Sequence, residues 1–131
     1  MRRPHERLKA WQASVALVTE LYEVTGGFPP EEPYGLTSQI RRAAVSVPAN
    51  IAEGAARGSD GEYLRFARIA RGSLSELESL LIIAHNLHFV GEERFESLSG
   101  KCESIGAMME GLCRSLKKAT VQDEEESYDE A

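Results

Sequence analysis

The sequence has no long hydrophobic run: its longest uninterrupted apolar stretch, Leu80 to Ala84, falls far short of the roughly 20 residues that span a bilayer. It has no stretch alternating between apolar and polar residues in the manner of a half-buried strand, and no segment repeated at a fixed spacing. Cysteine is scarce. Cys102 and Cys113 are the only two, and eleven residues along one helix would hold them about 16 Å apart, too far to bridge. They read as buried thiols of a reducing compartment. A basic Met1-Arg2-Arg3 start is followed by Glu6, Arg7, Lys9 and Gln12 where a secretory signal needs apolar residues, so the chain is expected to stay in the cytoplasm.

Catalytic and metal-binding signatures are also missing. A di-metal site in a helical bundle wants a Glu-x-x-His pair on two helices, and no Glu-x-x-His occurs. His85 and His88 stand three apart, but Glu78 and Glu92 are poorly spaced to complete a metal site around them. Gly54, Gly58 and Gly61 match neither a dinucleotide fingerprint nor a phosphate-binding P-loop. No serine or cysteine carries the local signature of an activated nucleophile. The expectation is a protein with no enzyme activity, no metal, no cofactor and no small-molecule substrate.

What is present is helical periodicity in a chain of 131 residues, room for one domain around one core. From Glu6 to Val24, Leu8, Trp11, Val15, Val18 and Tyr22 form an amphipathic stripe, ended by Gly26-Gly27-Phe28-Pro29-Pro30. A second helix is expected from Thr37, as its cap, to about Arg57 through Ile40, Ala44, Val47, Ile51 and Ala55. Pro48 lies in its middle and predicts a kink rather than a break, because the periodicity continues beyond it. Ala49, Ala52, Gly54, Ala55 and Ala56 make a face of small residues on which another backbone can approach closely, inside the bundle or from another subunit. Ser59 with Glu62 has capping-box spacing and opens a third helix that runs to about His88. A fourth uses Phe95, Leu98, Cys102, Ile105, Met109, Leu112 and Leu116, ending near Lys118, where Lys117 and Lys118 would complement the helix dipole. The fold class is therefore all-α, an antiparallel up-and-down four-helix bundle over residues 1–118.

Charge divides the chain unevenly. Residues 119–131 contain Asp123, Glu124, Glu125, Glu126, Asp129 and Glu130 and no lysine or arginine, so the net charge of -6 belongs to the tail and the body is neutral. Such a tail has little apolar surface to offset its ordering entropy and is expected to be disordered. Within the body, residues 41–71 carry Arg41, Arg42, Arg57, Arg65, Arg68 and Arg71 against only Glu53, Asp60 and Glu62. With Tyr63 and Phe66 nearby, these six arginines are the candidate nucleic-acid-binding residues. The competing interpretation is a solvated face on which they pair with Glu53, Glu62 and acids of adjoining helices.

One long stretch, Tyr34-Gly35-Leu36-Thr37-Ser38-Gln39-Ile40-Arg41-Arg42-Ala43-Ala44-Val45-Ser46-Val47-Pro48-Ala49-Asn50-Ile51-Ala52-Glu53-Gly54, closely resembles a bacterial family of four-helix bundle proteins. They are also called intervening-sequence proteins, because some are encoded within insertions in large-subunit ribosomal RNA genes. The likeness continues through Ser59, Glu62-Tyr63, Phe66, Ala70-Arg71-Gly72-Ser73-Leu74 and Glu76-Leu77-Glu78. The resemblance implies a protomer that assembles into a ring-shaped homopentamer. It also implies kinship with the accessory proteins of diversity-generating retroelements, which are strongly basic and bind nucleic acid and a reverse transcriptase. The chain departs from those relatives in its neutral body and acidic tail. The functional expectation is a non-enzymatic oligomeric scaffold that contacts structured RNA or a nucleic-acid enzyme. The alternative is a protein–protein interaction module that touches no nucleic acid.

Overall fold

A computed structural model describes His5, residues 8–30 and residues 35–130, with side chains through Glu126. Four helices follow one another: α1 Lys9–Thr25, α2 Leu36–Ala56, α3 Asp60–Asn86 and α4 Glu92–Glu130. Consecutive helices pack side by side and α4 closes back on α1 through the lightest of the four seams, so the cross-section is a square with its diagonals apart. Short turns at 57–59 and 87–91 force antiparallel neighbours. Among the described residues there is no strand, and no helix is long and apolar enough to cross a membrane.

The core is built from Leu17 and Leu21 of α1, Ile40, Val47 and Ile51 of α2, Leu74, Leu77 and Leu81 of α3, and Leu98, Ile105 and Met109 of α4. In α1 the buried stripe differs from the one expected. Ala10, Ser14, Leu17, Leu21 and Thr25 face inward, while Trp11 and Val18 are half-buried and Val15 and Tyr22 are exposed. Hydrophobicity alone favoured valine over alanine and serine, but the small pair lets α1 approach its neighbours. The hydroxyls cost little there because each bonds within its own helix, Ser14 Oγ to the Trp11 carbonyl at 2.9 Å and Thr25 Oγ1 to the Leu21 carbonyl at 2.7 Å. Glu6, the expected start of α1, lies outside the described residues.

Helix α2 begins two residues earlier than expected. Its N-cap is Gly35 with no side-chain bond, and Thr37 is buried in the first turn instead of capping it. The cause is Leu36, which reaches the core only when it is already helical. α2 then continues through Pro48 to Ala56, so the proline does not end it. Gly54 answers where the small face is used. It is buried against α3, where a Cβ would meet Phe66 and Tyr63. Ser59 caps α3 as expected, its Oγ accepting from the Glu62 N–H at 3.2 Å, but the Glu62 carboxylate turns to Arg65 and does not complete the box.

The end of α3 is a Schellman motif. The Phe89 N–H reaches the Ala84 carbonyl at 2.9 Å, the His88 N–H reaches His85 at 3.0 Å, and His88 takes φ 65°. A left-handed residue with a Cβ is strained, so His88→Gly should raise stability by about 1 kcal/mol, read as a higher urea midpoint at unchanged m-value.

Residues 119–130, where a disordered tail was expected, continue helix α4. It does not stop near Lys118 but runs on to Glu130, which leaves Lys117 and Lys118 in mid-helix with no role in the final turn. No glycine or proline follows Gly111, and the segment is rich in residues that favour helix. Leu116 is its last buried side chain, and residues 121–126 are all exposed. Both cysteines are buried and free, and burial, with a smaller contribution from the charge of Glu78, pushes the Cys102 thiol up to about 12. It stays protonated and is a packing residue.

Candidate nucleic-acid interface

Helical geometry separates the six arginines into three groups. Arg41 and Arg57 stand at opposite ends of α2, about 24 Å apart along its axis. At the α2–α3 turn, Arg57 and Arg65 both lie over the ring of Phe66, 4.9 and 4.5 Å from its centroid. Each is also paired with an acid of its own helix. Arg57 Nη2 and Nε donate to Glu53 Oε1 at 2.7 and 3.1 Å, and Arg65 Nε donates to Glu62 Oε2 at 2.9 Å. That hydrogen bond holds the Glu62 carboxyl below its usual range and raises Arg65. For these two arginines the ion-paired, solvated interpretation describes the geometry.

Arg41 clamps α1 to α2. Its Nε donates to Thr25 Oγ1 at 2.8 Å, its Nη2 donates to the Tyr22 carbonyl at 3.2 Å, and its guanidinium sits 4.4 Å from the centre of the Tyr22 ring. It thereby adds a second donor to a carbonyl at the end of α1 that already accepts the Gly26 N–H at 3.1 Å. Arg42, Arg68 and Arg71 make no ion pair among the described residues. Arg68 is exposed and Arg71 half-buried on α3.

Three further basic residues escaped the sequence reading. The antiparallel register of α3 and α4 is marked by Gly106, whose Cβ position lies 3.7 Å from Leu74, and by Asp123, which shares a cleft with Ser59 and Asp60. That register sets Arg114, Lys117 and Lys118 alongside the first third of α3, near the level of Arg65 and Arg68. All three are exposed and none forms an ion pair among the described residues. They are distant from residues 41–71 in sequence, and only the α3–α4 pairing brings them close. Five cations without an ion pair among the described residues, Arg68, Arg71, Arg114, Lys117 and Lys118, thus stand at similar levels of the neighbouring helices α3 and α4.

The polar residues of the α2–α3 seam satisfy one another. Asn50 Nδ2 donates to the Ser46 carbonyl at 2.8 Å and to Ser46 Oγ at 2.9 Å, and Ser46 and Ser73 share a 2.8 Å hydroxyl bond. The histidines of the α3–α4 turn are likewise structural. His85 stacks on Phe95 at 4.2 Å between centroids and its Nε2 lies 2.6 Å from Glu92 Oε2, while His88 serves the helix end. Among the described residues no three His, Cys, Asp or Glu side chains converge as a metal site would need.

No curated protein sequence matches the chain. A crystal structure of a protein with unknown function from the S23 ribosomal protein family, from Bacteroides thetaiotaomicron, superposes with a TM-score of 0.72 at 19% identity. The match covers 79% of this chain and 97% of the other, and at that identity it attests the fold. The family model described as 23S rRNA-intervening sequence protein matches residues 6–111. The chain belongs to the 23S rRNA-intervening sequence protein family.

Proposed function

We propose that this chain is a non-enzymatic, cytoplasmic, ring-forming scaffold, pentameric as its family resemblance implies, that contacts structured RNA through the α3–α4 side of each protomer. The observation that carries the reading is the set of cations without acid partners there, Arg68 and Arg71 with Arg114, Lys117 and Lys118. An arginine already paired gives up that pair when it meets a phosphate; an unpaired one releases only counterions. A ring multiplies a modest patch by its copy number, so a neutral protomer body is compatible with a usable basic surface.

The test is fluorescence anisotropy of a labelled RNA hairpin and of duplex DNA titrated with the oligomer from low to physiological salt. Binding at about micromolar concentration or tighter, with an affinity that falls steeply as salt rises, supports the reading. Flat titrations at low salt overturn it.

A second reading, a protein-interaction module without nucleic-acid binding, is favoured by a different observation. Ile69 and Ile83 share an exposed flank of α3 with its C-cap Leu87, all 42% exposed or more. That strip is also the natural assembly surface of the scaffold. The double substitution of Ile83→Glu and Leu87→Glu is expected to give a folded monomer by light scattering; an unchanged mass would remove α3 from the assembly contact.

A further inference from the structure

The seam between α1 and α2 holds an open groove of about 600 Å³ whose lining includes Tyr22, Arg41, Arg42, Val45, Ser46 and Asn50, and no carboxylate. Its volume is that of a small-ligand site. From the way its polar groups are held we infer that this groove binds one unpaired nucleotide of a single-stranded RNA segment. The inference rests on the RNA-contacting reading and adds a second, chemically different site at the far end of α2.

Three features point to a nucleotide. First, Arg41 is held in place before any ligand arrives, its Nε and Nη2 bound to Thr25 and Tyr22 and one side of its guanidinium over the Tyr22 ring. The opposite side of that planar group is a platform of the kind on which RNA bases stack, and stacking on a fixed arginine–aromatic pair loses little side-chain entropy. Second, Arg42 is exposed next to the platform without an ion pair among the described residues, placed to meet a phosphate. Third, the Asn50 amide nitrogen is fully engaged by Ser46, which fixes the side chain and leaves its oxygen as an acceptor for a base amino group. Exposed Val45, with Ala49, supplies the apolar wall against which a base edge would lie.

Acidic peptides would also be drawn to Arg41 and Arg42, but a carboxylate makes no use of a stacking platform. The experiment separates them. Fluorescently labelled single-stranded RNA pentamers, one with bases and one with an abasic centre, are titrated into the full-length protein, the folding of each variant being checked by circular dichroism. The base-bearing pentamer should bind about tenfold tighter than the abasic one. Tyr22→Ala should remove that difference. Val45→Glu, at a position 41% exposed and therefore tolerant, should weaken binding of both probes. Equal affinity for the two pentamers, or a difference that survives Tyr22→Ala, overturns the nucleotide site. Hairpin and duplex binding reports separately on the α3–α4 side: its loss with the pentamer preference intact would sink the proposed function and spare the groove.

Discussion

Replacing Gly54 with alanine is expected to destabilise the protein by about 1–2 kcal/mol and to lower its melting temperature by roughly 5–10 °C. In the middle of a helix the same change ordinarily stabilises, by about 1 kcal/mol, because alanine has less backbone freedom to lose. At Gly54 sterics reverse the sign. A Cβ there would lie 2.8 Å from Phe66 Cβ, 3.0 Å from Tyr63 Cδ1 and 3.2 Å from the Tyr63 carbonyl oxygen. Phe66 Cβ and the Tyr63 carbonyl cannot swing aside as the end of a flexible chain would, so α2 and α3 must separate. Gly72 is the internal control. Nothing lies within 4 Å of its Cβ position, and Gly72→Ala should gain about the 1 kcal/mol that Gly54→Ala forfeits. Calorimetry of the two variants would show opposite shifts; a stabilised Gly54→Ala would mean that the close approach of α2 to α3 is softer than the geometry implies.

Reversing the charge of both Arg68 and Arg71, as Arg68→Glu with Arg71→Glu, is expected to weaken RNA hairpin binding by about 100-fold at low salt and to reduce the salt slope by about two. Neither side chain makes an ion pair among the described residues, so the double variant should keep the helical content and stability of the parent. Arg65→Ala provides the contrast. Arg65 is already occupied by Glu62, and its removal frees an acid as it deletes a base, so the change in affinity should be small, about threefold or less. Equal losses from the two sets of variants would show that RNA responds to net charge alone and that the unpaired arginines have no special standing.

Helix count, order and turn positions were readable because each turn carries residues with a mechanical reason to be there: Gly26-Gly27 after α1, Ser59 before α3, Gly91 before α4. The face of α1 was not readable. Two stripes one residue apart both have helical spacing, and the choice between Val15 and Ser14 is made by how closely α2 and α4 approach. The start of α2 was misplaced for a related reason, since Leu36 is drawn into the core and a local capping preference at Thr37 is overridden. At the candidate site, the six arginines were visible as a basic stretch, and the pairing of Arg57 with Glu53 was legible as i,i+4 spacing. The contribution of Arg114, Lys117 and Lys118 was not legible, because it depends on the α3–α4 register. Nor was the clamp from Arg41 to Thr25, whose partners are sixteen residues apart.

The unequal lengths of α3 and α4 make one helix into two regimes of protection. Up to Leu116 the backbone hydrogen bonds of α4 sit beneath buried side chains, and their amides exchange with solvent only when the bundle itself opens. Past Thr120 the same ladder continues to Glu130 with every described side chain in water, and so short a length of helix without tertiary support is marginal. Acids crowd the negative end of the dipole there, which loosens it further. Deuterium uptake should therefore climb steeply within about two turns after Leu116, although the helix shows no break in its geometry.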